Sequence, residues 1–240
     1  MPDRAPDAPL PDPSDAPHRR LVVTDVDSTF LTQEVIELIA EHAGTREQVA
    51  EVTERAMRGE LDFADSLRER VATLAGVPVS ALAAVRDAVV LTPGAAELVA
   101  EVQRRGWEFG LVSGGFAEIL EPLADSLGIT RWRANRLEAV DGVLTGRTTG
   151  PVVDRALKES TLREWAADLG LSMADTVAVG DGANDLDMIG AAGIGVAFAA
   201  KPAVREQAPY CLDGPRLDAV LEIVDEVDAG RRPVADAWPS

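Results

Sequence analysis

A run of apolar and β-branched residues, Leu21 to Thr24, ends in two aspartates one residue apart, Asp25 and Asp27, followed at once by Ser28 and Thr29. A short, β-branched, non-alternating run reads as a strand buried on both faces. Such strands belong to parallel sheets covered by helices on each side, so this stretch alone restricts the architecture. Polar residues at its carboxyl end fall where open α/β sheets bind ligands.

The rest of the chain supports that class. From Glu34 the pattern turns helical, with Val35, Leu38, Ile39 and His42 on one face, and helical patterns persist to about Leu91, broken at Gly44, Gly59, Gly76 and Pro78. Strands and helices then alternate. Helices are expected at Ala95–Arg105, Phe116–Leu127, Thr161–Leu169, Leu186–Ala192 and Leu217–Val227, and strands at Trp107–Val112, Thr176–Val179 and Ile194–Phe198. AspGly at 141–142, between β-type segments from Leu137 to Thr149, predicts a hairpin. The expected organisation is a disordered tail over 1–18, an α/β core from 19–33 and 92–228, a helical lobe over 34–91 and a C-terminal tail over 229–240.

Three strands end in polar, glycine-rich loops: Asp25-Val26-Asp27, Ser113-Gly114-Gly115 and Gly180 to Asp185. Aspartates at i and i+2 of an extended chain point the same way. Joined by Asp181 or Asp185, they form a cluster of like charge that a hard cation such as Mg²⁺ would neutralise. An aspartate beside such an ion can attack phosphorus, and a second carboxyl can protonate the leaving alkoxide and then deprotonate water. Asp25 is the expected nucleophile and Asp27 the expected acid/base. The Ser113 hydroxyl, the Gly114 N–H and the Lys158 ammonium are suited to the phosphoryl oxygens. A bland reading of Asp25 and Asp27 is a turn and helix cap. The convergence of three such loops argues against it. Lys158 and Lys201 are the only lysines beside 21 arginines, which hints that a compact ammonium is needed at one or both places.

The DxDST stretch, the SerGlyGly loop, Lys158 and GDGAND together resemble the haloacid dehalogenase superfamily of phosphatases. VSGGF at 112–116, ANRL at 134–137, VAVGDGANDLDM at 177–188 and AKP at 200–202 resemble its phosphoserine phosphatase family, with similarity running from about Leu21 to Val227. The resemblance implies a Rossmann-like core, an inserted helical cap and an aspartyl-phosphate intermediate. It implies Mg²⁺ held by the Asp25 carboxylate, the Asp27 carbonyl and Asp181. By the same resemblance Asn184 would support the phosphoryl pocket, and Asp185 would orient the metal's waters and Lys158. It implies L-phosphoserine as the phosphomonoester substrate, hydrolysed in serine biosynthesis. Glu34 then matches the position that binds the substrate ammonium, Arg70 the carboxylate ligand and Phe63 the side chain that shields the site.

Each of these three also has an ordinary reading: a first-turn acid for Glu34, solvated surface for Arg70 and lobe packing for Phe63. His42 reads as a core histidine, Cys211 as buried packing, and Lys201 as fixing a loop near the site. The alternatives are a related phosphatase or phosphotransferase acting on phosphohomoserine, phosphocholine or a sugar phosphate, and a phospho-accepting signalling module. The module would not explain Asp27 or the helical lobe.

A formal net charge of −18 disfavours nucleic acid and anionic membrane as partners. A single cysteine and a Pro- and Asp-rich N-terminus in place of a signal peptide point to the cytoplasm. A monomer or homodimer is expected, without serine feedback through an N-terminal regulatory domain.

Overall fold

The structure, a computed structural model, describes residues 19–57 and 61–231. The tail expected over 1–18, the helix breaker at Gly59 and residues 232–240 lie outside the described residues. β1 (Leu21–Thr24) is followed by α1 (Val35–Ala43), α2 (Arg46–Met57), α3 (Phe63–Ala72), α4 (Ala81–Ala88) and α5 (Ala95–Arg104), which leads into β2 (Glu108–Phe116). Then come α6 (Ala117–Ser126), β3 (Arg131–Val140), β4 (Val143–Thr149), α7 (Arg155–Asp168) and β5 (Thr176–Gly180). They are followed by α8 (Leu186–Ala191), β6 (Ile194–Phe198), α9 (Pro202–Arg205), β7 (Tyr210–Leu212) and α10 (Val220–Asp228).

The strands form one seven-stranded sheet in the order β4-β3-β2-β1-β5-β6-β7, parallel except for the β3–β4 hairpin. β1 lies between β2 and β5, where the chain's crossovers turn from one half of the sheet to the other. That switch point opens a crevice at the carboxyl ends of the strands. Parity divides the strand between two cores. Leu21 and Val23 pack with Leu162, Trp165 and Met188 of α7 and α8, whereas Val22 packs with Leu98 and Val102 of α5 and Val220 and Val224 of α10.

The insertion between β1 and β2 leaves and returns through a short paired stalk. Leu31 and Leu91 form an antiparallel bridge, Thr32 N–H donates to Val90 O at 3.0 Å, and Thr92 N–H donates to Phe30 O at 2.9 Å. Its apolar residues, Val49, Leu67, Leu74 and Leu82 among them, join the same buried cluster as one face of the sheet.

Several elements differ from expectation. β3 begins at Arg131 and pairs in parallel with β2, so the hairpin is the sheet's own margin. Its first half, Arg131 to Asn135, alternates polar residues with Trp132 and Ala134 over only five positions, and pairing with β2 makes it a strand. The expected turn is present, with Asp141 and Gly142 both at positive φ. α7 starts at Arg155, not Thr161, because Asp154 caps it. β2 continues irregularly through Ser113 to Phe116 where a loop was expected. β7 was not anticipated, being only three residues long. His42 is exposed near the end of α1, not in the core, and Cys211 is half-buried on β7. Among the described residues, no helix is long and apolar enough to cross a membrane.

Candidate active site

Asp25 continues the odd-numbered side of β1, so its side chain meets α7. Its N–H donates to Val179 O at 2.8 Å, which holds it at the end of β1 against β5. α7 turns Lys158, Thr161, Leu162 and Trp165 inward at helical spacing. Lys158 is fully buried and is held by two carboxylates: it donates to Asp25 Oδ1 and, at 2.7 Å, to Asp185 Oδ1. Asp185, also fully buried, accepts the Gly182 N–H on Oδ2 at 3.0 Å. Gly180 makes room for it, since a Cβ there would lie 2.5 Å from Asp185 Cβ. Burial alone would lower the Lys158 pKa, but Asp185 and Asp25 outweigh it and keep the ammonium charged above its ordinary range.

The side-chain oxygens of Asp25, Asp181 and Asp185 come within 4.8 Å of one another. With all three carboxylates ionised beside one ammonium, this largely buried site would hold two excess negative charges. Burial raises Asp25 well above its ordinary pKa, with Asp185 adding to the rise, and burial and Asp185 push Asp181 up to about 6. Protons or a divalent cation would relieve this excess, and an all-oxygen donor set suits Mg²⁺. Thr29, fully buried, orients Asp181 by donating to its Oδ1 at 3.2 Å.

Asp27 has other partners. The chain leaves extended geometry after Asp25 and winds through Val26 to Phe30, with Ser28 at φ 59°. The expectation that i and i+2 would present both carboxylates to one ion therefore fails for the Asp27 side chain. Its Oδ1 accepts the Val35 N–H at 2.7 Å, and its Oδ2 accepts the Ser113 hydroxyl at 3.0 Å. Ser113 Oγ accepts in turn from Gly115 N–H at 2.7 Å. A Cβ at Gly115 would lie 2.5 Å from Asp27 Oδ2, so this loop needs glycine there. Burial, then Glu34, raises Asp27 to about 6, against the opposing hydrogen bonds from Val35 and Ser113.

The insertion brings Glu34, Arg70 and Phe63 to the same crevice. Glu34 precedes α1, accepts the Ser28 hydroxyl at 2.7 Å, and is raised in pKa by burial. Arg70 is partly buried while its neighbours Arg68 and Glu69 are exposed. Its Nε donates to Ser66 O at 3.3 Å, burial lowers its pKa, and Glu34 and Asp27 oppose that shift. A Cβ added at Gly114 would lie 3.0 Å from Phe63 Cζ, so the ring sits directly against this loop. Asn184 is half-buried and folds over Gly182, whose hypothetical Cβ would be 2.3 Å from its Oδ1. Lys201 is exposed before α9, and its charge is felt at Asp181. The sequence reading assigned no role to Ser28, Thr29 or Asn135. The first two were legible as part of DxDST, but their bonds to Glu34 and Asp181 depend on the turn.

The haloacid dehalogenase-like hydrolase family profile matches residues 22–189. A phosphoserine phosphatase of Streptococcus thermophilus is 54% identical over 207 residues, covering 86% of this chain and 96% of that protein. One from Mycobacterium tuberculosis is 53% identical over 219 residues, covering 91% of this chain and 53% of its own length. The chain thus spans about half of that relative. A solved phosphoserine phosphatase carrying a phospho-aspartyl intermediate analogue matches with a TM-score of 0.80 at 39% identity, over 85% of this chain and 98% of that one.

Proposed function

Because the chain belongs to the haloacid dehalogenase-like hydrolase family, we propose that it is a Mg²⁺-dependent phosphatase converting O-phospho-L-serine to L-serine and phosphate. One observation carries this reading: Asp25 and Asp27 are held by different partners. Lys158 fixes Asp25, whereas Ser113 and the Val35 N–H fix Asp27. Two carboxyls so separated can take two roles.

Asp25 attacks phosphorus, an O–P bond forms on its carboxylate, and the serine alkoxide leaves with a proton from Asp27. Asp27 then takes a proton from water, which attacks the same phosphorus and releases Asp25. A pKa near 6 suits a group that must give and accept a proton near neutrality. Asp25, Asp181 and the Asp27 carbonyl would hold Mg²⁺, with Asp185 behind them. When bound, the ion supplies positive charge against the phosphoryl oxygens and favours the ionised form of Asp25. Lys158 and the Gly114 N–H serve those oxygens, the Ser113 hydroxyl joins them when it turns from a protonated Asp27, and Asn184 supports their pocket. Glu34 receives the substrate ammonium, Arg70 its carboxylate, and Phe63 excludes water. A lone half-buried cysteine fits a cytoplasmic enzyme.

The test is phosphate release, with and without Mg²⁺, from L-phosphoserine, phosphothreonine, phosphohomoserine, phosphocholine, a sugar phosphate and an aryl phosphate. A Mg²⁺-dependent preference for L-phosphoserine is expected. A different preference would overturn the headgroup assignment, and release from none would overturn the enzyme reading.

A further inference from the structure

Asn135, on β3, is 1% exposed, and the mechanism above does not use it. Its side-chain amide is shared between two backbones. Nδ2 donates to Gly114 O at 2.7 Å, and Oδ1 accepts from Val153 N–H at 2.8 Å. A carbonyl only accepts and an N–H only donates, so the amide has one orientation. The two backbones belong to the two segments that deliver the phosphoryl-binding groups. Gly114 follows Ser113. Val153 precedes Asp154, whose side chain accepts from Leu157 N–H at 2.8 Å and so fixes the start of the helix carrying Lys158.

The contact at Gly114 propagates toward the chemistry. The peptide between Gly114 and Gly115 is held at both ends, its oxygen by Asn135 and its N–H by Ser113 Oγ at 2.7 Å. With a lone pair engaged there, the Ser113 hydroxyl directs its proton to Asp27 Oδ2 at 3.0 Å. One hydrogen-bonded chain thus runs from Val153 through Asn135, the glycine peptide and Ser113 to Asp27. Two glycines in a row leave that peptide little intrinsic preference, so an external hold decides its orientation.

We propose that Asn135 is a positioning residue: it sets the spacing between the Ser113 loop and the start of the Lys158 helix, and through Gly115 it fixes the Ser113 hydroxyl on Asp27. It touches no reacting atom, and its effect on turnover rests on the phosphatase reading above.

Asn135→Asp and Asn135→Ala separate this role from mere packing. An ionised carboxylate keeps the acceptor for Val153 but turns an oxygen without a proton toward Gly114 O. Once protonated, the same carboxyl donates to Gly114 O again. Charged groups on the segments packed against β3 are Glu118, which accepts the Leu137 N–H at 3.2 Å, Asp154 beside Val153, the Arg133–Glu164 pair at 2.9 Å, Lys158 on the helix that Asp154 caps, and Asp27 beyond Ser113. Asn135→Ala supplies no donor at any pH.

kcat and KM are measured for wild type and both variants on L-phosphoserine and an aryl phosphate. Near pH 8 both variants are expected to lose kcat by about 10- to 100-fold with little change in KM, the scale of a small misplacement of catalytic groups. As pH falls toward about 6, Asn135→Asp recovers relative to wild type, because burial keeps its carboxyl protonated there, while Asn135→Ala does not. Amide hydrogen exchange at Gly115 and Val153, which needs no turnover, accelerates in Asn135→Ala. Wild-type kcat in Asn135→Ala, a pH-independent ratio for Asn135→Asp, or unchanged exchange would each overturn the proposal. If wild type releases phosphate from neither ester, the phosphatase reading fails, and the exchange measurement still decides whether Asn135 holds the two segments.

Discussion

Lys158 Nζ lies 2.7 Å from Asp185 Oδ1, and both side chains are fully buried. Such a pair, dry and shared with Asp25, organises the site before any ligand arrives. Breaking one partner of a buried ion pair strands the other charge.

Lys158→Met should therefore destabilise the protein by roughly 3–5 kcal/mol in urea melts, the usual scale for a stranded buried charge. It should also remove turnover in protein that remains folded by circular dichroism. Retained phosphate release would sink the role given to this ammonium.

Asp27→Asn separates the two chemical steps. With phosphoserine, whose alkoxide needs a proton, kcat should fall by about 10²–10⁴-fold. With an aryl phosphate the leaving phenoxide needs none. A stoichiometric burst of phenol is expected, with phosphate left on Asp25 and visible as added mass on that peptide. A steady release of phenol and phosphate together, without a burst, would contradict the assignment of Asp27.

Headgroup recognition predicts a split between substrates. Arg70→Ala should raise KM for phosphoserine by about 100-fold, as for loss of a charge-assisted contact worth about 2–3 kcal/mol, and barely change it for an aryl phosphate. Ser28→Ala removes the hydroxyl that holds Glu34 at 2.7 Å and should lower kcat/KM for phosphoserine several-fold, the effect of about 1 kcal/mol. Equal losses on both esters would refute the pocket assignment.

Metal-free stability should depend on pH in a stated direction. Asp27 and Asp181 each rise from 3.8 to about 6 on folding. Between those values the folded chain binds more protons than the unfolded one, so stability falls as pH climbs through that window. Surface acids such as Glu101, lowered to about 2 by Arg104 and Arg105, act in the opposite sense up to their unfolded value of 4.5, so the fall in stability is to be read above about pH 5. Mg²⁺ competes with those protons, so it should raise Tm more at pH 7 than at pH 5. An equal shift at both values would argue against a cation among these carboxylates.

The sequence alone determined the buried first strand, the alternation that makes a parallel sheet, the helical block after β1 and the hairpin at Asp141-Gly142. Each is set by local periodicity or turn chemistry, which a chain displays before it folds. It also marked Asp25, Asp27, Ser113 and Asp181 by residue type at strand ends, and Lys158 by the scarcity of lysine. Only the tertiary structure decided which partners hold each aspartate. The turn at Val26 to Phe30 sends Asp27 to Ser113 while strand parity sends Asp25 to Lys158. It also decided that His42 faces solvent and that β7 exists, since pairing and burial, not local pattern, fix a three-residue edge strand and the last turn of a short helix. Asn135 shows the reason most plainly. Its partners are 21 residues before it and 18 after it, so its role arises where separate segments meet.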